Sequence, residues 1–102
     1  MEVIRDLELA SKLTNGSGRA GYIDVTYKQL VETLGEPTFD DASGDDKVQK
    51  EWVVEFEGNI YTVYDWKTYD VDYTMNELNK FNVGSKVNAR KFIESLTKEI
   101  KA

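Results

Sequence analysis

The stretch Val48-Gln49-Lys50-Glu51-Trp52-Val53-Val54-Glu55-Phe56-Glu57-Gly58-Asn59-Ile60-Tyr61-Thr62-Val63-Tyr64-Asp65-Trp66 decides the fold. Two runs rich in β-branched and aromatic residues, 48–56 and 60–66, flank Gly58-Asn59. Those two residues tolerate the positive φ that a two-residue hairpin turn demands, so the stretch reads as two antiparallel strands. With the turn at Gly58-Asn59, Phe56 faces Tyr61, Val54 faces Val63 and Trp52 faces Asp65. This register gathers Trp52, Val54, Phe56, Tyr61 and Val63 on one face, the expected core side. Val53, Glu55, Thr62 and Tyr64 fall on the other.

Helices flank this ribbon. Upstream, Thr26 is a good N-cap and Gln29 stands three residues later, the pattern of a capping box. Tyr27, Leu30, Val31 and Leu34 follow as one helical stripe. Gly35 suits a left-handed stop, and Pro37 forbids continuation. The spacing predicts a helix over 27–34. Downstream, Val87, Phe92, Ile93, Leu96 and Ile100 form a second stripe, with Ser85 or Asn88 available as cap and Lys98 and Lys101 at the negative end of the dipole. That predicts a helix over 87–100.

Elsewhere the signals are weaker. Residues 4–10 fit a first strand or a short helix, since Val3, Ile4, Leu7, Leu9 and Leu13 follow neither period cleanly. Asn15-Gly16-Ser17-Gly18 breaks the chain, Asp40 to Lys47 reads as an exposed loop, and Lys67 to Asn79 as a polar connection. Lys80 to Val83 fits a short strand. The expected fold is α+β: a small antiparallel sheet of three or four strands, its central hairpin packed against the two helices.

At 102 residues, with 40% hydrophobic content, the chain suits a single domain with one core. No apolar run approaches the length of a membrane span, and Met1-Glu2-Val3-Ile4-Arg5-Asp6 lacks the basic-then-apolar pattern of a secretory signal. No cysteine and no histidine are present. Thiolate chemistry, disulfides, cysteine-bound metals and every histidine-dependent triad are therefore excluded within the chain. Neither catalytic residues nor a metal or cofactor is expected.

The net charge of −6 is unevenly spread. Seven basic and seventeen acidic residues precede Lys80, whereas six basic and two acidic residues follow from there. So acidic a body would repel a phosphate backbone, and direct nucleic-acid binding is not expected. Asp40, Asp41, Asp45 and Asp46 lack the alternating spacing of a calcium loop. Gly16-Ser17-Gly18-Arg19 lacks the Lys-Ser or Lys-Thr of a phosphate loop, although glycines beside Arg19 suit an anion.

The binding candidates are aromatic residues with polar tips, which bury area at low entropy cost. Tyr64-Asp65-Trp66-Lys67 sets rings, an acceptor and a cation at a strand end, and Tyr22 and Arg19 complete the expected site. The alternative for Asp65 and Lys67 is a local ion pair on an edge strand.

Gly21-Tyr22-Ile23, Tyr27-x-x-Leu30 and Leu34-Gly35-Glu36-Pro37-Thr38, followed in order by Asp46-Lys47, Glu51-Trp52, Phe56-Glu57 and Tyr64-Asp65-Trp66-Lys67, resemble a family of small bacteriophage accessory proteins. The likeness spans 21–67. Family members continue with a tryptophan and an Ile-Gly-Gly element, where this chain has Phe81-Asn82-Val83-Gly84-Ser85. The resemblance implies a phage accessory protein acting in the cytoplasm of an infected bacterium. The functional expectation is a non-enzymatic protein that inhibits or redirects a bacterial host or defence protein. The alternative is sequestration of a nucleotide-like signal by Arg19, Tyr22, Trp66 and Lys67, and a virion component ranks third. A free sheet edge leaves a homodimer open.

Overall fold

The computed structural model describes residues 1–39, 50–65 and 78–101. In chain order the elements are β1 (Glu2–Val3), α1 (Leu7–Thr14), β2 (Gly18–Thr26), α2 (Tyr27–Leu34), β3 (Glu51–Phe56), β4 (Asn59–Tyr64), β5 (Leu78–Ser85) and α3 (Arg90–Lys101). The fold is α+β, as expected. The sheet, antiparallel throughout, has five strands rather than three or four, in the order β1-β3-β4-β5-β2.

The central hairpin forms, with its turn one residue earlier than expected. Glu57 and Gly58 occupy the turn with φ of 51° and 82°, the two positive values of a type I′ turn. Phe56 therefore pairs with Asn59, Val54 with Tyr61 and Trp52 with Val63, not with Tyr61, Val63 and Asp65. The slip is an even number of residues, so every side chain keeps its face. Trp52, Val54, Tyr61 and Val63 are buried in the main core and Phe56 packs against it.

That core lies between one face of the sheet and the helices α2 and α3. Leu30 and Leu34 come from α2, Phe92 and Leu96 from α3, and Ile23, Val25, Phe81 and Val83 from the flanking strands. Tyr61 and Phe92 stack with ring centroids 4.3 Å apart, and Phe56 meets Phe92 at 5.9 Å. The α2 capping box is present in full: Gln29 N–H donates to Thr26 Oγ1 and Thr26 N–H to Gln29 Oε1. The helix over 87–100 begins later than expected. Asn88 Oδ1 accepts from Arg90 N–H, leaving Val87 outside the helix and exposed, while buried Ala89 replaces it on the apolar stripe.

The N-terminal region resolves into both options, at other boundaries. Only Glu2–Val3 is strand; Asp6 then caps α1 by accepting from Leu9 N–H, so of the strand or short helix expected over 4–10 it is the helix that forms, from Leu7 onward. Thr38 secures this corner, its hydroxyl donating to Ile4 C=O and accepting from Val53 N–H. Helix α1 covers β4 from the second face of the sheet, where Ala10, Val53 and Thr62 are buried.

The largest departure is β2. Where a chain break was expected to end at Gly18, a nine-residue strand begins, and it forms one edge of the sheet. Its residues Tyr22-Ile23-Asp24-Val25 alternate polar-out and apolar-in, a signal present in the sequence but interrupted by Gly18 and Gly21. Strand β5 also runs well past the expected 80–83. It needs that length to pair with β2 along Leu78 to Ser85.

Candidate functional site

The second face of the sheet has two halves. Helix α1 covers the half around β4. The other half carries a row of side chains that crosses the sheet from β2 to β3, set by register: Tyr22 pairs with Asn82, Asn82 with Tyr64, and Tyr64 with Glu51. Opposed residues share a face in antiparallel sheets, so these four lie side by side across four strands. A neighbouring row runs Arg19, Gly84, Thr62 and Val53. A register shift between Arg19 and Gly21, with Ala20 as the extra residue, returns Arg19 to this face.

Three of the six expected site residues therefore converge: Arg19, Tyr22 and Tyr64. Tyr22 is exposed, and the Lys80 ammonium lies 4.4 Å from its ring centroid. A cation so placed is attracted by the negative face of the ring and holds it in position. Arg19 and Tyr64 line a groove of about 250 Å³ together with Thr14, Ser17, Gly18, Glu51, Thr62 and Gly84.

Gly84 makes the groove. A Cβ there would lie 2.5 Å from Thr62 Oγ1, which would have to move, and in ordinary contact with Tyr64 Cε1 at 3.4 Å and Gly18 C=O at 3.5 Å, so glycine leaves the Thr62 hydroxyl and the groove floor open. Burial raises the Tyr64 pKa; the Arg19 charge offsets this in part and Glu51 adds to it. The phenol is therefore a hydrogen-bonding group at neutral pH, not a base.

Asp65 sits elsewhere. It is buried, and its carboxylate accepts from Lys50 N–H at 2.9 Å while its own N–H donates to Lys50 C=O at 3.3 Å. It braces the start of β3 against the end of β4, on the opposite side of the sheet from Tyr64. Trp66 and Lys67 lie outside the described residues, as does the acidic loop from Asp40 to Lys47. The sequence offered no route to Lys80, Asn82, Glu51 and Gly84 as site residues, because their placement depends on the unforeseen β2–β5 pairing.

No protein family, curated protein or solved structure matches the chain. Its chemistry must be read from the face itself. Among the described residues no cluster of three or more acidic side chains is placed to hold a metal ion, and no helix is long and apolar enough to cross a membrane. The face offers one guanidinium, one ammonium, two phenols and two carboxyls, exposed Asp24 and half-buried Glu51, a set suited to recognition.

Glu51 carries a pH signature. Burial first, and then the Asp65 carboxylate, raise its pKa above the ordinary 4.5. Above the raised value the folded state bears the full cost of a desolvated charge, so stability is lost as pH rises through it and regained as pH falls toward 4.5. Glu51→Gln is expected to be more stable than the parent at neutral pH, with the difference vanishing in mild acid. Urea unfolding at the two pH values checks this, and a difference independent of pH would refute it.

Proposed function

We propose that the protein is a non-enzymatic binding domain that occupies a bacterial protein, a host factor or a defence component, through the Arg19–Tyr22–Tyr64 half of the second sheet face. The observation that carries this reading is Tyr22, an exposed ring held beneath Lys80 on the same face as Arg19 and Tyr64. Pre-positioned rings and cations lose little entropy on binding, and such residues dominate interface energies. The absence of histidine and cysteine from the sequence removes the commonest catalytic groups and favours steric occupation over catalysis. The resemblance of residues 21–67 to small phage accessory proteins supports an infected bacterial cytoplasm as the setting.

Affinity capture from bacterial lysate tests the proposal, comparing the parent with the Arg19→Glu, Tyr22→Ala double variant. The expected result is a bacterial protein retained by the parent and lost by the variant. Two surface substitutions of this kind leave the core intact, so unfolding midpoints should agree. No protein dependent on these residues at any salt concentration would sink the reading. A nucleotide that stabilises the parent but not the variant would replace it with sequestration of a small signal in the Arg19 groove.

A further inference from the structure

The outer edge of β2 has a definite polarity, which follows from the hairpin turn. In a two-residue type I′ hairpin the residues flanking the turn exchange both backbone hydrogen bonds, here Phe56 and Asn59. Even-numbered residues of β3 then point toward β4, and odd-numbered ones away. Ile4 N–H donating to Val53 C=O, and the two bonds between Phe39 and Glu51, agree with this. Alternation carries the pattern onward: Thr62 and Tyr64 bond to Gly84 and Asn82, and Phe81 and Val83 turn the other way to Ile23 and Gly21.

The backbone N–H and C=O groups of Tyr22 and Asp24 thus point out of the sheet. Thr26 obeys the same rule, and its outward N–H is the one taken by Gln29. Tyr22 and Asp24 have no such partner among the described residues: no backbone bond there beyond the β2–β5 ladder reaches either one. Four backbone groups on a nine-residue edge strand are free to pair.

The geometry points to a second copy of this chain as their occupant, docked edge to edge through β2 about a two-fold axis at Ile23. An antiparallel pairing centred there sets Tyr22 opposite Asp24 of the other copy and Asp24 opposite its Tyr22. Both outward residues of both chains are used, giving four hydrogen bonds. Centring on Tyr22 instead would enlist the irregular Ala20, and centring on Asp24 would enlist Thr26, whose N–H is already committed.

The side chains on both flanks of the edge are self-complementary in the same register. On the second face, Lys80 stands opposite Asp24 of its own chain and lies over Tyr22, so the pairing sets its ammonium between its own Asp24 carboxylate and that of the other copy; the two-fold repeats the arrangement. On the core face, a groove of about 380 Å³ runs between β2 and α3, lined by Ile23, Val25, Ile93, Thr97, Ile100 and Lys101. The helix runs in the same direction as the strand, with Ile93 over Gly21 and Ile100 toward Val25. An antiparallel partner therefore brings Ile93 toward Ile100 of the other copy and Glu94 toward its Lys101. A contact with matching apolar and opposite-charge positions under its own two-fold is what an isologous interface requires.

Sedimentation velocity of the purified chain, with no other protein present, tests this independently of any bacterial partner. The parent is expected to convert from monomer to dimer across the micromolar to millimolar range, and a monomer throughout would overturn the inference. Asp24→Pro removes an N–H that the sheet does not use, a substitution an edge strand tolerates. Loss of two of the four bonds should weaken the dimer about thirtyfold with the circular dichroism spectrum unchanged. If that variant misfolds, Asp24→Lys should abolish the dimer by setting ammonium against ammonium, and adding Lys80→Asp should restore it. A dimer indifferent to all of these changes would overturn the β2 assignment.

Discussion

Trp52→Ala is expected to lower stability by about 3–5 kcal/mol, the range for truncating a fully buried large aromatic residue. Trp52 has no exposed surface and sits where the layers meet. Its ring contacts Tyr27 of α2 at 5.8 Å and Phe81 of β5 at 6.1 Å between centroids. Its indole N–H donates to Gly35 C=O at 2.9 Å, fastening the end of α2 to the sheet. Alanine leaves a cavity among three elements and an unpaired carbonyl at once. A domain of this size carries about 5–15 kcal/mol in total, so the loss is a large share of it. The melting temperature should fall by more than about 12 °C, at about 4–8 °C per kcal/mol. Trp52→Phe separates the two contributions: it keeps most of the packing and loses only the hydrogen bond, at about 1–2 kcal/mol. Circular dichroism in urea reads both without using tryptophan fluorescence. If Trp52→Ala cost less than about 1 kcal/mol, the core would not be organised around this ring.

What was legible in the sequence follows the range of the interactions involved. Helix α2 was readable because its cap, stripe and stop all lie within twelve consecutive residues. The core face of the hairpin was readable because strand parity survives a slip in the turn. The turn itself was misplaced because the residue at its first position is Glu57, a side chain that seldom adopts a φ of 51°. Gly58-Asn59 was the better local match and the wrong one. Strand β2 went unassigned for a related reason. Its glycines resemble a linker in isolation, yet Gly21 lies beneath Ile93 of α3, a contact seventy-two residues distant.

The site shows the same boundary. Arg19, Tyr22 and Tyr64 were named for their chemistry and do share a face, but what unites them is pairing through Asn82 and Gly84 on β5. No local pattern encodes that. Asp65 was named as a binding acceptor and is a buried brace, because a carboxylate at a strand end reads the same in either role until its backbone partner, Lys50, is placed beside it. Arg5 was overlooked altogether. Its guanidinium donates to Leu34 C=O at 3.0 Å and to Glu36 C=O, capping α2 from a position twenty-nine residues upstream.

That last contact makes Gly35→Ala the second most damaging change expected, at about 3 kcal/mol. Gly35 holds φ 85° and ψ −163°, a region essentially closed to residues with a Cβ, so alanine there costs about 1–3 kcal/mol in backbone strain alone. The new Cβ would also lie 2.7 Å from Arg5 Nη2. The guanidinium must withdraw from two carbonyls at the C-terminal end of α2, where a cation is favoured by both the helix dipole and the unpaired oxygens. Arg5 follows Ile4, whose N–H and C=O are bonded to Val53 and Thr38, so its displacement should also loosen β1. A double-mutant cycle with Arg5→Ala divides the loss. If the guanidinium is the obstruction, Gly35→Ala should cost about 1 kcal/mol less in the Arg5→Ala background than in the parent, and faster exchange at the Ile4 amide should accompany either single change. Equal costs in both backgrounds would assign the whole effect to backbone strain. A cost below about 0.5 kcal/mol in both would mean that the chain leaves α2 by another path, and that Trp52 and Arg5 do not meet at Gly35.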